Sequence, residues 1–205
     1  MTLRVSGPGL AGLSVFGAGM AFCGAAEAHL ESSGLGPFYD GLLHLLSSPD
    51  DLVPVVALSL LAGLRGARLS RLVVCLLPAS WFIASLAGMA ATGVQENPPL
   101  GTALSFILLG GLVLTDARVP PWLMLFLTIV LGAIHGWFNG SGMGGSVTGV
   151  VALLGVAATV FVCCALVAAP VSHISVNWQR IAVRVLGSWI AAAGLLLAGW
   201  SFRGV

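Results

Sequence analysis

Long apolar stretches, separated by short breaks, dominate the sequence. The breaks contain arginine, proline, glycine or asparagine, residues that commonly mark turns and helix ends. A helix needs about 20 apolar residues to cross a bilayer, so each stretch is predicted to be a membrane span. The six predicted spans cover residues 38–64, 70–92, 99–116, 120–138, 145–169 and 181–202. The expected fold is an all-α, polytopic membrane helix bundle.

A further apolar stretch at the N-terminus is typical of a secretory leader. It follows Arg4 and ends at the small-x-small sequence of residues 26–28, which is a signal for cleavage. Cleavage would leave His29 as the first residue; without cleavage the stretch is an additional span. The predicted organisation is a signal peptide or leader-like hydrophobic helix at 1–28 and a single six-helix transmembrane domain at 29–205.

The composition favours a membrane protein. Hydrophobic residues make up 58% of the chain, charged residues only 7%, and the mean hydropathy is +1.06. A soluble domain needs more charged side chains on its surface. The net charge of +1 and the absence of lysine argue against a nucleic-acid partner. The expected partner is the lipid bilayer.

Arginine sets the predicted orientation, because cytoplasmic loops carry an excess of positive charge. With the N-terminus inside, most arginines fall in loops on one side, whereas Glu31, Asp40 and Glu96 fall on the other. The expected location is a bacterial cytoplasmic (inner) membrane, crossed several times. Asp116 and Glu96 are expected to be solvated, and His173 to be an interfacial residue or an exit ligand. The arginines on the cytoplasmic side are Arg65, Arg68, Arg71, Arg118, Arg180 and Arg184.

The first span contains ionisable residues, which are expensive in a membrane and therefore indicate a functional site. In a continuous helix, Asp40, His44 and Asp51 share one stripe with Ser47. Carboxylates and imidazole are ligands of divalent cations. Asp50 is the further candidate ligand in this segment, and all of these residues lie toward the outer, periplasmic face.

The same segment has a second interpretation. Ser48, Pro49 and the two acids after them are also typical of a helix start, with Ser48 as the cap and Pro49 in the first position. Asp50 and Asp51 would then stabilise only a helix terminus. A broken helix that places its carboxylates in a cavity is compatible with both interpretations.

The fourth span ends with a histidine and an asparagine on one face. His135 and Asn139 are one turn apart. His135 is either an interfacial residue beside aromatic neighbours or a further ligand that completes a site with the first span. A shared site is favoured because both spans carry a histidine near the outer face. His29 and Glu31 lie outside, where they either deliver an ion or have no role; as the N-terminus, His29 would offer its amine and imidazole as ligands for copper or nickel.

These residues resemble the HupE/UreJ family of hydrogenase and urease accessory membrane proteins. His44 and Asp50 match a His and an Asp six residues apart in the family's first span, and His135-Gly136 matches a later motif. Asp51 and Asn139 stand where the family has histidines. The resemblance implies six spans, a leader, and nickel or cobalt uptake across the cytoplasmic membrane. Oxygen ligands in place of nitrogen make such a site harder.

The leading hypothesis is a permease for divalent transition-metal ions, Ni²⁺ or Co²⁺, and not an enzyme. Its metal ligands would be His44, Asp50, Asp51 and His135, with Asp40 and His29 outside them. Imidazole binds metal only when neutral, so uptake is expected to weaken below about pH 6.

Two other hypotheses are open, of which the first shares its site residues with the permease and the second rests on His135 and Asn139. One is a non-transporting accessory subunit that holds metal or helps to assemble a metalloenzyme or membrane system, with a membrane-protein partner or as a homo-oligomer. The other is an intramembrane protease, which is disfavoured because the later spans lack a Gly-x-Ser-Gly nucleophile.

Overall fold

The computed structural model describes residues 33–91, 98–143 and 146–203. Within these ranges the chain forms seven helices and no strand. The predicted leader, His29, Glu31 and Glu96 lie outside the described residues. The helices are α1 (Pro37–Ser47), α2 (Pro49–Leu64), α3 (Ala67–Gly88), α4 (Pro99–Leu114), α5 (Pro121–Met143), α6 (Val147–Ser172) and α7 (Asn177–Ser201).

Four of these helices, α3, α5, α6 and α7, are long and apolar enough to cross a membrane. The pair α1 and α2 forms a fifth candidate if it is counted as one bent span. Helix α4 has 16 residues, or about 24 Å at 1.5 Å per residue, which is shorter than a hydrocarbon core of about 30 Å. The all-helical membrane architecture is confirmed, and the count of six spans stays a prediction.

The first predicted span is not one continuous helix. Helix α1 ends at Ser47, α2 begins at Pro49, and the two axes differ by 74°. The cause is Pro49, which lacks a backbone N–H and disfavours the helical conformation at the residue before it. Ser48 is accordingly extended, with φ −103° and ψ 91°. The prediction of one continuous stripe from Asp40 to Asp51 is therefore wrong.

The helix-start interpretation is confirmed in its backbone but not in its cap. Ser48 is the N-cap residue of α2 and Pro49 occupies the first helical turn. The Ser48 side chain makes no capping hydrogen bond. The start of α2 is thus set by proline and by the change in chain direction.

Helix α2 is the centre of the bundle. Most of its residues from Pro54 to Leu64 are buried. Around it, α3 packs on α5 and α4 on α7, while α6 contacts α1, α2 and α3. Helix α7 is peripheral, and its buried residues are Val183, Gly187 and Gly194.

Glycine lets α5 approach α3 closely. A Cβ atom at Gly136 would lie 2.2 Å from the carbonyl oxygen of Trp81, and one at Gly140 would lie 1.9 Å from that of Ser85. Contacts this short mean that the backbones touch, as they do at small-residue interfaces in membranes. The residues that precede these glycines, His135 and Asn139, are thereby held at a fixed depth beside α3.

Six of the seven arginines among the described residues gather at one end of the bundle, called here the arginine end (residues 65–71, 115–120 and 173–184); Arg203 follows the opposite end of α7. Successive helices from α2 to α7 run in opposite directions, so these segments meet. Arg65 and Arg180 both contact Asp116 there. Asp51 is in the first turn of α2, and Arg65 is the C-cap residue of the same helix. The two are 14 positions apart, or about 21 Å along the helix axis, so Asp51 lies near the end of the bundle opposite the arginine end.

Candidate functional site

A buried polar cluster lies beside the junction between α1 and α2. The Asp51 carboxylate receives two contacts from α5: its Oδ1 lies 2.7 Å from Nδ1 of His135, and its Oδ2 accepts a hydrogen bond of 2.8 Å from Nδ2 of Asn139. The three residues are only 7%, 2% and 9% exposed, respectively. We call these three residues the Asp51 cluster.

The local sequence explains how the three side chains meet. Asp51 is the third residue of α2, where the partial positive charge of the helix N-terminus favours a carboxylate. His135 and Asn139 are one turn apart and so project from the same face of α5. The break at Ser48 frees α2 to start inside the bundle, with its first turn directed at that face.

Trp81 of α3 fixes the histidine ring. Its indole stacks on the imidazole of His135, with ring centroids 5.3 Å apart and planes at 27°. Trp81 is fully buried, and its Nε1 finds no hydrogen-bond partner among the described residues. The tryptophan therefore acts on His135 through ring contact and restricts its rotation.

His44 lies near enough to the Asp51 cluster to interact with the charge of Asp51. It is half-buried in the last turn of α1, and it interacts with the charge of Asp51 across the helix break. Three helices, α1, α2 and α5, thus bring two imidazoles and one carboxylate to the same region. A buried carboxylate is stable only when it is well paired, and Asp51 has two direct partners.

The donor atoms of the cluster suit a cation. Asp51 occupies Nδ1 of His135, so a further ligand of this ring would have to use Nε2; carboxylate–histidine pairs orient metal ligands in this way. The amide oxygen Oδ1 of Asn139 is buried and has no hydrogen-bond partner among the described residues. Buried oxygens are normally paired. Nitrogen and oxygen donors of this kind bind divalent transition metals.

The cluster is not a complete ready-made metal site. Within the described part of the chain, no three His, Cys, Asp or Glu side chains are grouped closely enough to hold a metal ion. Two direct contacts tie Asp51 to its neighbours in α5.

The other predicted ligands lie elsewhere. Asp50 is exposed, although it directly precedes Asp51. Asp40 accepts hydrogen bonds of 2.6 Å from both the backbone N–H and the hydroxyl of Ser33. It lines a separate cavity of about 190 Å³ with Met143 and Thr148. The structure brings together Asp51 and His135, with His44 nearby, but not Asp50 or Asp40.

Sequence reasoning did not select Asn139 or Trp81 as site residues. The spacing puts Asn139 on the same face as His135, and the family resemblance puts it where a histidine usually stands, but neither gives it a partner. Trp81 lies in an apolar span and carries no local signal. The repeated glycines Gly132, Gly136 and Gly140 were the available hint, because they predict a close neighbour for α5.

A second polar cluster lies at the arginine end, where the prediction for Asp116 was wrong. This residue is not simply solvated: Arg180 Nε donates a hydrogen bond of 2.5 Å to its Oδ2, and Arg65 pairs with its Oδ1. Asp116 also adopts a positive φ of 50°, a conformation that aspartate tolerates better than most residues. It joins the loop after α4 to the end of α2 and the start of α7.

The charge of Asp116 is stabilised by these arginines. Partial burial acts to raise the pKa of its carboxyl, but the hydrogen bond from Arg180 and the charges of Arg65, Arg180 and Arg184 act in the other direction. The net effect holds the pKa below its usual value. Asp116 is therefore a carboxylate under ordinary conditions.

Comparison with known proteins gives one match. The model of a family described as HupE / UreJ protein matches residues 17–197, which include every residue of the Asp51 cluster. The comparisons with curated proteins and with solved structures give no match.

Proposed function

The chain belongs to the HupE/UreJ family, and on this premise we propose that it is a permease for divalent transition-metal ions, with Ni²⁺ and Co²⁺ as its substrates. The observation that carries the proposal is the Asp51 cluster, a buried carboxylate held by an imidazole and an amide. Ionisable groups at membrane depth are rare and mark ion pathways. A multi-pass bundle with such a cluster suits ion movement.

The substrate would first meet Asp40. Its cavity lies between the start of α1, the end of α5 and the start of α6, and its carboxylate attracts cations. The ion would then exchange water for the donors of the Asp51 cluster, with His44 adding a second imidazole. On this proposal, when no ion is bound, His135 and Asn139 serve as the hydrogen-bond partners of the Asp51 carboxylate.

The balance of donors bears on the choice of ion. Asp51 and Asn139 contribute oxygen and His135 contributes nitrogen, so the set is harder than one built from histidines alone. We therefore propose that the permease discriminates less sharply between Ni²⁺ and Co²⁺ than a site of three or four imidazoles would. Uptake of both ions by one preparation tests this point.

The central experiment is uptake of radiolabelled Ni²⁺ and Co²⁺ by proteoliposomes that contain purified protein. Asp51→Asn removes the charge that holds the cluster together, and we expect it to lower the initial uptake rate at least tenfold. Asp50→Asn makes the same chemical change at the exposed neighbour and is expected to have a much smaller effect. Thr128→Val, two turns before His135 in α5 and bonded only to its own helix, should transport like the wild type.

Each outcome decides between the hypotheses. Equal loss in the two aspartate variants would favour the ligand set expected from the family motif over the Asp51 cluster. Metal that binds to the wild type but does not accumulate in the vesicles would contradict the permease and favour a metal-holding accessory subunit. The proposal requires saturable accumulation that depends on Asp51.

A further inference from the structure

A groove opens between α3 and α6 at the arginine end, far from the Asp51 cluster. Its volume is about 300 Å³. Its mouth is polar: Arg71 and His173, both exposed, lie there with Ser172, while the lining residue Ser70 is buried and donates its hydroxyl to the Gly66 carbonyl. Neither the family match nor the proposed transport assigns it a role.

Beyond the mouth the groove is apolar. Val74, Cys75 and Phe161 line it, and Ala165 and Ala169 leave room beside them. From His173 to Phe161 the lining extends over twelve positions of α6 and its C-cap, or about 18 Å along the axis. The groove is thus an elongated slot, polar at the membrane edge and apolar toward the bilayer centre.

The mouth carries positive charge that no acidic side chain among the described residues neutralises. Arg71 is exposed and takes part in none of the hydrogen bonds or ion pairs of the described residues. No carboxylate lines the groove. Asp116, the acidic residue described at this end, is already bound by Arg65 and Arg180.

We propose that this groove binds one anionic phospholipid, with its phosphate between Arg71 and His173 and one acyl chain in the apolar slot. The guanidinium and the imidazole supply N–H donors to phosphate oxygens, and arginine is well suited to such contacts. Basic pockets between transmembrane helices bind lipid head groups in this way. The inference is independent of the metal permease.

An ordinary lipid of the surrounding bilayer would not need these features. A lipid that only coats the surface meets a convex helix face, and a single arginine reaches the head groups there by extending along the helix. Here two helices form a concave slot, and donors from both converge at its mouth. The combination predicts a preference for head-group charge and a stoichiometry of one.

The test is a lipid titration of delipidated protein in a nonionic detergent, followed by native mass spectrometry. Dioleoyl phosphatidylglycerol is compared with dioleoyl phosphatidylcholine, which has the same chains and no net charge. We expect one phosphatidylglycerol per protein, bound at least tenfold more tightly than phosphatidylcholine. Glycerol phosphate, which has a phosphate but no acyl chain, should bind at least a hundredfold more weakly.

Variants separate the groove from general surface charge. Arg71→Gln should weaken phosphatidylglycerol binding on the order of tenfold, as expected for loss of a charged hydrogen bond. Arg68→Gln removes a charge that is also exposed, one turn earlier in α3 and outside the groove, and should change affinity less than twofold. Ala169→Phe fills the slot without altering charge and should also weaken binding. Arg71→Lys keeps the charge and tests the site if Arg71→Gln does not fold.

Three results would overturn the proposal. Equal affinity for phosphatidylglycerol and phosphatidylcholine would show that the groove contacts bilayer lipids without selecting for head-group charge. Equal losses in Arg71→Gln and Arg68→Gln would show only a diffuse positive surface. Glycerol phosphate bound as tightly as the lipid would indicate a free-phosphate site with no use for the apolar slot.

Discussion

Asp51 is a carboxylate surrounded by protein, and each of its oxygens has a partner from α5. The exposed Asp50 beside it shows how strongly one helical position changes the environment, since consecutive residues of a helix project about 100° apart. His135 is held from two sides, by the Asp51 carboxylate and by the Trp81 ring. Its position is therefore a property of three helices.

Removing His135 tests this coupling at the residue scale. His135→Ala removes one of the two direct partners of the buried Asp51, so we expect the free energy of unfolding to fall by about 1–3 kcal/mol, the usual cost of leaving a buried hydrogen-bonding group unsatisfied. The double variant with Asp51→Asn should lose less than the sum of the two single losses, because the pair acts as a unit. Reversible denaturation in mixed micelles measures all four proteins; strict additivity would contradict direct coupling.

At the scale of elements, the sequence predicted more of the helices than of their contacts. The apolar stretches at 70–92, 120–138, 145–169 and 181–202 correspond to α3, α5, α6 and α7, with shifts of a few residues at most ends. A long apolar run in lipid has to satisfy its own backbone hydrogen bonds, which an α-helix does, so such a run can be predicted to be a helix from the sequence alone. For the first span the sequence allowed either a continuous helix or a new helix that starts at Pro49. Proline is compatible with both a helix start and a kink inside a helix, so its chemistry alone does not distinguish them.

The partners of polar residues were harder to predict. His44, Asp51 and His135 were selected because they are ionisable, but which aspartate faces α5 depends on helix rotation, and a mostly apolar helix does not reveal its rotation. Asp116 was misjudged for a related reason. Its partners Arg65 and Arg180 are 51 and 64 residues away in the chain, and only the alternating helix directions bring them together.

The close packing of α5 on α3 positions His135 and Asn139 of the Asp51 cluster. Gly136→Ala would place a methyl group against the Trp81 backbone, so we expect a loss of about 1–3 kcal/mol in unfolding free energy, with weaker metal uptake. Gly111→Ala is the matched control, because nothing lies within 4 Å of the added atom; it should be neutral or slightly stabilising. Thermal unfolding in detergent compares the two, and equal effects would contradict a close interface.

At the scale of the whole molecule, two polar clusters lie near opposite ends of α2 and an apolar core separates them. The Asp51 cluster joins α2 to α5, and Asp116 joins the end of α2 to the start of α7. Motion of α2 would therefore disturb both clusters. Such a coupling would serve the proposed permease, which has to expose an ion to one side of the membrane at a time.

The Asp116 cluster should make stability depend on pH in a defined direction. The folded-state pKa lies below the usual value of 3.8, so the contribution of Asp116 is fully present above that value and is lost as the pH falls through the lower folded-state pKa. The melting temperature of the wild type should exceed that of Asp116→Asn from about pH 5 to 7, and the difference should shrink at pH 3. A difference that is unchanged at pH 3 would contradict the ion pairs.

The separation of Asp51 from His135 by 84 residues has a consequence for biogenesis. Ribosomes add roughly 5–20 residues each second, so α2 would wait on the order of 4–17 s for α5 to emerge. During that interval its carboxylate faces the insertion machinery or lipid without its native partners from α5. The early helices are therefore expected to assemble late, with the arrival of α5 as the step that commits the nascent chain to its final topology.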